Sequence, residues 1–191
     1  MLKRKAVFLD RDGVINRVVM RGRTPGSPRR LREFRLRRGA AGFVRRLAGR
    51  GFAVFIVTNQ PDVARGLLDP AELEKMHDRI RRSMPVDEIL ACTHDDRDLC
   101  SCRKPLPGLI VSAAGEHGIN LTRSFVLGDG GRDMAAGGAA GCTTILLRTE
   151  YNRGVEADHR ARSFAEAEKI ICGRGKGNRA FRSRGPFRSA G

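Results

Sequence analysis

Short apolar runs recur along the chain and stop abruptly on polar residues. Ala6, Val7, Phe8 and Leu9 end on Asp10-Arg11-Asp12-Gly13, and Phe52 to Val57 end on Thr58-Asn59-Gln60. Residues 86–91 lead into Cys92, residues 124–128 end on Asp129, and residues 143–147 form the last clear run. Runs of this length with β-branched and aromatic members read as strands buried on both faces. Between them the period lengthens to that of a helix. Residues 40–50 place Phe43, Val44 and Leu47 on one face and Arg45, Arg46 and Arg50 largely off it, with Gly51 positioned to end the helix. Asp69-Pro70-Ala71-Glu72 is a helix start: Asp69 caps, Pro70 takes the first helical position and Glu72 completes a capping box. Leu73, Met76 and Ile80 form its buried stripe, and His77 on the same helix reads as structural. Residues 107–118 predict a helix with Leu109, Ile110 and Ala113 inward, and Ser163 to Glu166 opens a last one to about Ile171. Strands alternating with helices predict an α/β fold, a parallel sheet with helices on both faces. No insertion is long enough for a large cap domain, so the site should be open.

Two stretches lack this order. Residues 17–38 interleave Gly, Pro and Ser with arginines and read as a loop, on its residues alone a solvated one. From Cys172 onward the chain has no acid and no apolar period. The expected organisation is one domain over residues 1–171 and a disordered Gly/Arg-rich tail over 172–191. The 191 residues suffice for one such domain with a real core.

Charge alters this picture more than composition does. The net charge is +16, but residues 1–50 carry 16 Lys and Arg against 3 acids, and residues 172–191 carry 6 against none. Residues 51–171 carry 15 against 18. The excess lies in an Arg-rich N-terminal region and the tail, around a nearly neutral body. Such charge draws in phosphorylated molecules, large or small. The tail reads as passive, with nonspecific nucleic-acid contact through Phe181 and Phe187 as the alternative. No apolar run approaches a membrane span, and the basic N-terminus has too short an apolar part for a signal peptide. A cytoplasmic monomer is expected, its five cysteines reduced or metal-bound.

Candidate chemistry gathers where the apolar runs end. In an open parallel sheet the ligand crevice lies at the carboxyl ends of the strands, so Asp10 and Asp12 should project into it. Two close carboxylates repel, and Mg²⁺ is the hard, oxygen-seeking ion that would sit between them. A capped strand end with solvated acids would look the same over three residues. The hydroxyl of Thr58 and the amide of Asn59 suit phosphate oxygens. Cys92, His94, Cys100 and Cys102, spaced C-x-H-x5-C-x-C, supply three thiolates and an imidazole, a complete tetrahedral zinc set. No coordination position stays open, so such a zinc would be structural. The alternative is a cluster of reduced thiols around a mobile acidic loop.

The stretch F-L-D-R-D-G-V-I-N resembles the first motif of the haloacid dehalogenase (HAD) phosphatases. V-T-N-Q resembles the second, C-R-K-P the third and G-D-G-G-R-D-M-A-A-G the fourth. P-D-V-A-R-G stands where the family has S-G-I-A-R-G, leaving Arg65 either a substrate contact or a surface residue. The resemblance covers about residues 5–171. With the zinc loop it points to the branch of small-sugar and histidinol phosphatases. It implies an HAD-like Rossmannoid fold with a small zinc loop, in which the 17–38 loop would reach over the site and help select substrate, the alternative being a merely solvated loop. It also implies phosphate-monoester hydrolysis with Asp10 as nucleophile and Asp12 as general acid and base. Thr58, Asn59, Arg103 and Lys104 would bind the phosphoryl group and substrate. Asp10, Asp12 through its backbone carbonyl, and Asp129 would hold Mg²⁺, with Asp133 in support. A heptose bisphosphate is the first expected substrate. Histidinol phosphate, a polynucleotide end and non-catalytic binding on the same fold are the alternatives. Gly130-Gly131 replaces bulkier residues and should loosen the fourth-motif loop.

Overall fold

The computed structural model describes residues 4–173. The proposed tail, residues 172–191, therefore lies almost wholly outside the described residues. The strands that build the main sheet are β1 (Ala6–Leu9), β4 (Ala53–Asn59), β5 (Glu88–Cys92), β6 (Phe125–Gly128), β7 (Thr143–Leu147) and β8 (His159–Ala161). A small hairpin, β2 (Val19–Arg21) with β3 (Thr24–Gly26), lies between β1 and β4. The helices are α1 (Ala40–Ala48), α2 (Pro70–Ser83), α3 (Gly108–Glu116), α4 (Gly131–Ala139) and α5 (Phe164–Ile171).

The six strands order as β5-β4-β1-β6-β7-β8, and every pairing is parallel. β1 lies at the centre because its four residues are apolar and buried on both faces. Alternation along the strands divides the core in two. Val7, Leu9, Val54 and Ile56 face α1, α2 and α5, while Ala6, Phe8, Phe55 and Val57 face α3 and α4. At the start of α2 Asp69 accepts from the Ala71 N–H at 2.7 Å and Pro70 takes the first helical position, as read, but Glu72 closes no capping box: its carboxylate accepts instead from the Leu31 N–H at 2.7 Å and from Lys75 at 2.9 Å. No separate cap domain occurs among the described residues, and among them no helix is long and apolar enough to cross a membrane.

Three elements differ from the sequence reading. Part of the 17–38 loop pairs into the β2–β3 hairpin, because Gly22 at φ +61° permits a tight turn. α4, a nine-residue helix, lies where the sequence offered only the Gly-rich fourth motif and no helical pattern. Its Gly137 sits so close to the sheet that a Cβ there would lie 2.9 Å from Val126, so the glycine that masks the helical signal lets the helix approach. β8, three residues within a polar stretch, had no apolar signal of its own.

Candidate active site

The parallel arrangement brings the ends of β1, β4 and β6 to one edge. Asp10 follows β1, Thr58 and Asn59 close β4, and Asp129 follows β6. Asp10, Thr58 and Asp129 are all buried. Gly13 turns the chain back at φ +90°, and a Cβ there would stand 1.8 Å from an Asp129 carboxylate oxygen. Only glycine lets the two loops come this close.

Lys104 lies at the middle of the cluster. Its ammonium donates to Asp10 Oδ1 at 2.7 Å, to Asp133 Oδ1 at 2.5 Å and to the Val57 carbonyl at 2.9 Å. Burial works against its charge, but Asp10 and Asp133 hold its pKa well above the ordinary lysine value. Asp133 also accepts from the Gly130 N–H at 3.0 Å, so it ties Lys104 to the start of α4. That bond braces the Gly130-Gly131 turn, which the sequence reading expected to be loose. Asn59 donates to the Lys104 carbonyl at 2.9 Å and accepts from its N–H at 3.1 Å. Its amide thus holds the Lys104 backbone, which leaves it less free for a substrate than the reading supposed.

Carboxylates of Asp10, Asp129 and Asp133 bring ligand atoms within 4.8 Å of one another. Burial pushes the Asp10 carboxyl well up; Lys104 opposes this, while Asp133, Asp129 and Asp12 add to it. Burial pushes Asp129 to about 6 although Tyr151 donates a hydrogen bond to it. Asp12 behaves oppositely. Burial would raise it, but Arg11 and hydrogen bonds from Asn16 and Gln60 outweigh that and lower it. Its donors are Arg11, Asn16 at 2.8 Å, Ser27 at 2.9 Å and Gln60 at 2.8 Å. Four carboxylates therefore face two cations, Lys104 and Arg11, and a divalent cation would complement the two uncompensated charges.

The cleft over this cluster measures about 310 Å³ and is also lined by Thr58, Arg103 and Arg132. Gln60 donates to the Thr58 hydroxyl at 2.8 Å, which leaves the Thr58 proton for another acceptor. A larger groove of about 900 Å³ runs behind α4, but it holds none of these groups, and its Asp158 accepts from Thr144. The smaller cleft is where the chemistry lies.

Beside it, Cys92 at the end of β5 meets His94, Cys100 and Cys102. The sulfur–sulfur distances are 3.1, 3.4 and 3.6 Å, and His94 Nδ1 lies 3.2 Å from Cys102 and 3.7 Å from Cys92. All five cysteines are free thiols. Arg103 donates to Asp96 Oδ1 at 2.7 Å and to the His94 carbonyl at 3.3 Å, which joins this loop to the cleft. Arg65 forms a two-point pair with Asp95, at 2.9 and 2.5 Å, and thus holds the loop from the outside.

Sequence reasoning missed Ser27, Tyr151 and Asn152. Asn152 donates to the carbonyls of Asp129 and Leu147 at 2.9 and 2.8 Å. The available signal was weak: the chain's one Tyr, in a polar stretch after a strand.

The sequence profile of the HAD-hydrolase-like family matches residues 101–171. The D-glycero-beta-D-manno-heptose-1,7-bisphosphate 7-phosphatase of Bordetella bronchiseptica is 34% identical over 154 residues, covering 78% of this chain and 83% of that protein. The enzyme of the same name from Rhodopseudomonas palustris is 37% identical over 151 residues, covering 73% and 81%. The crystal structure of D,D-heptose 1,7-bisphosphate phosphatase from B. bronchiseptica, complexed with magnesium and phosphate, superposes with a TM-score of 0.78 at 30% identity, covering 90% of this chain and 99% of that one. With this sheet order, and relatives of this likeness over most of its length, the chain belongs to the heptose-bisphosphate phosphatase family of the HAD superfamily and is a phosphatase.

Proposed function

We propose that the protein removes one phosphate from a heptose bisphosphate, through a phosphoryl group carried transiently on Asp10. The observation that carries this is Lys104 bridging Asp10 and Asp133 beside Asp129, at the edge where β1, β4 and β6 end. The names of the relatives support the substrate.

An Asp10 oxygen attacks phosphorus, and the bond from phosphorus to the sugar oxygen breaks. Asp12 passes its proton to that oxygen; the incoming phosphate's charge favours the protonated carboxyl beforehand. Water then attacks the phosphoryl-Asp10, gives its proton back to Asp12 and releases inorganic phosphate. Thr58 offers a donor, and Lys104 its positive charge, to the oxygens of the transferring group. Arg103 offers a guanidinium to the remote part of the substrate.

Asp10, Asp129 and the Asp12 carbonyl would hold Mg²⁺, which fits the two uncompensated charges of the cluster; bound there, it would offset the repulsion between carboxylate and phosphate. Cys92, His94, Cys100 and Cys102 would hold a structural zinc. Zn–S bonds of about 2.3 Å give tetrahedral edges of about 3.8 Å, and the observed set is slightly contracted from that. The free thiols suit a reducing compartment such as the cytoplasm. The site is complete within one chain, which suits a monomer.

Phosphate release should be measured on heptose 1,7-bisphosphate, histidinol phosphate and a phosphate-ended oligonucleotide, with and without Mg²⁺. The proposal expects the highest kcat/KM on the bisphosphate, dependent on Mg²⁺. Preference for either other substrate would reassign the activity.

A further inference from the structure

Arg11, between the two motif aspartates, is fully buried and does not line the cleft. One of its nitrogens, Nη2, donates to both oxygens of Asp12, at 3.2 and 3.0 Å. Its other terminal nitrogen, Nη1, lies 3.4 Å from His77 Nε2 on α2. The guanidinium stands 5.9 Å over the Phe34 ring. Its Nε has no partner among the described residues.

Burial and the neighbouring Arg11 push His77 down to about 4, so the ring is neutral at pH 7. A neutral ring beside a guanidinium accepts at Nε2 and carries its proton on Nδ1, which faces Glu74 Oε2 at 3.6 Å.

Among the described residues four buried side-chain polar atoms lack a partner: Arg11 Nε, Asn16 Oδ1, Gln60 Oε1 and Thr149 Oγ1. Three of them belong to side chains that donate to Asp12. An ion pair built only for stability would satisfy its own members first. Here the three donors converge on one carboxylate while one polar atom of each stays bare.

We infer that His77 is a positioning residue for Asp12, acting through Arg11: by accepting from Nη1 it stops the guanidinium turning, which keeps Nη2 astride the Asp12 carboxylate. This rests on the general-acid role proposed for Asp12. Without His77, Nη1 is left bare, and the guanidinium turns to satisfy it and takes Asp12 out of line with the leaving oxygen. Proton transfer depends on that alignment.

Leaving groups separate this from a merely structural role. A sugar oxygen needs a proton as its bond to phosphorus breaks; p-nitrophenolate departs without one. The ratio kcat/KM reports the reaction up to that departure, so later hydrolysis of the phosphoryl-Asp10 does not enter. We expect His77→Leu to lower kcat/KM on heptose bisphosphate at least about tenfold, since small misplacement of a reacting group can cost about a hundredfold. On p-nitrophenyl phosphate it should stay within about twofold, because that step needs no proton transfer. His77→Gln, whose amide oxygen can accept from Arg11, should restore most of the sugar-phosphate activity. Should His77→Leu fail to fold, Arg11→Lys decides in the same way, because it keeps the charge but loses the planar fork. Equal losses on both substrates, or none on either, would overturn the inference while leaving the phosphatase proposal standing. A wild-type protein inert toward every alkyl phosphate would overturn both.

Discussion

Replacing Lys104 by Met tests the centre of the site. Lys104 is 4% exposed, and each N–H of its ammonium has an acceptor within 2.9 Å. Met keeps most of the volume and removes all three bonds. Breaking a buried ion pair by deleting one partner costs about 3–5 kcal/mol. Here two carboxylates lose their cation and the Val57 carbonyl loses a donor, so the upper half of that range applies while both stay ionised. A domain stability of about 5–15 kcal/mol leaves the variant folded under mild conditions. The pH dependence fixes the cause. Lys104 is held above its ordinary pKa, so its stabilisation is fully present below the unfolded lysine value and is lost only above the folded one. His77 is common to both proteins and cancels in the comparison, so any trend in their difference between about pH 5.5 and 8 comes from the carboxyls. Asp10 is already pushed up, and removing Lys104 pushes it further. A carboxyl with a raised folded pKa destabilises the fold increasingly as pH rises above its unfolded value. The deficit should thus grow with pH. Urea denaturation of both proteins at the two pH values, without Mg²⁺, measures it. A deficit below about 1 kcal/mol, which is what an exposed pair would give, or one that shrinks as pH rises, would refute this account.

Asp10→Asn should leave the thermal transition near wild type and abolish phosphate release, because the amide lacks the nucleophilic charge; release near the wild-type rate would exclude Asp10. Cys100→Ser should lose the one zinc per chain that elemental analysis is expected to find in the wild type, and activity should fall because Arg103 is anchored to that loop. Zinc retained in the variant would remove Cys100 from the set. Gly13→Ala must pay about 1–2 kcal/mol for its left-handed backbone, and its Cβ displaces Asp129 as well. A lowered midpoint with weakened Mg²⁺ binding by calorimetry is expected, and unchanged Mg²⁺ affinity would contradict the close approach.

Much of this arrangement was legible because each motif sits where an apolar run stops. A reader of Ala6–Leu9 or Ala53–Asn59 sees a buried strand and the polar residues it delivers, and a parallel sheet places such ends together. Cys92, His94, Cys100 and Cys102 were legible for a different reason, their ligand types at close spacing. Contacts set by tertiary approach were not legible. Ser27 reaches Asp12 from fifteen residues away and Tyr151 reaches Asp129 from twenty-two, each out of a polar stretch. α4 was hidden by its glycines, of which Gly137 is there for packing against Val126. Asn59 looked like a substrate contact because an amide at a strand end suits phosphate as well as it suits a backbone.

The basic character of the N-terminal region takes on another meaning once its partners are known. A guanidinium has five donors in a fixed plane and can cross-link carbonyls as well as carboxylates. Arg21 donates to the Ser27 carbonyl, Arg37 to that of Gly13 and Arg45 to that of Ser83. Arg29 pairs with Asp62, and Arg46 and Arg50 share Glu168. Arg37 thereby holds the turn after Asp12, and Arg21 the loop that delivers Ser27. These six cations are structural ties, and that part of the basic excess calls for no polyanion. At the mouth of the cleft stand Arg103 and Arg132, both facing Asp96, at 2.7 and 3.8 Å. Two guanidiniums beside a cleft of about 310 Å³ can meet one further phosphate on a small molecule. A polynucleotide track would need a row of unpaired cations following the strand. The distribution of charge around the site thus favours the proposed bisphosphate over a polymer, although the chain's total charge alone would suggest the reverse.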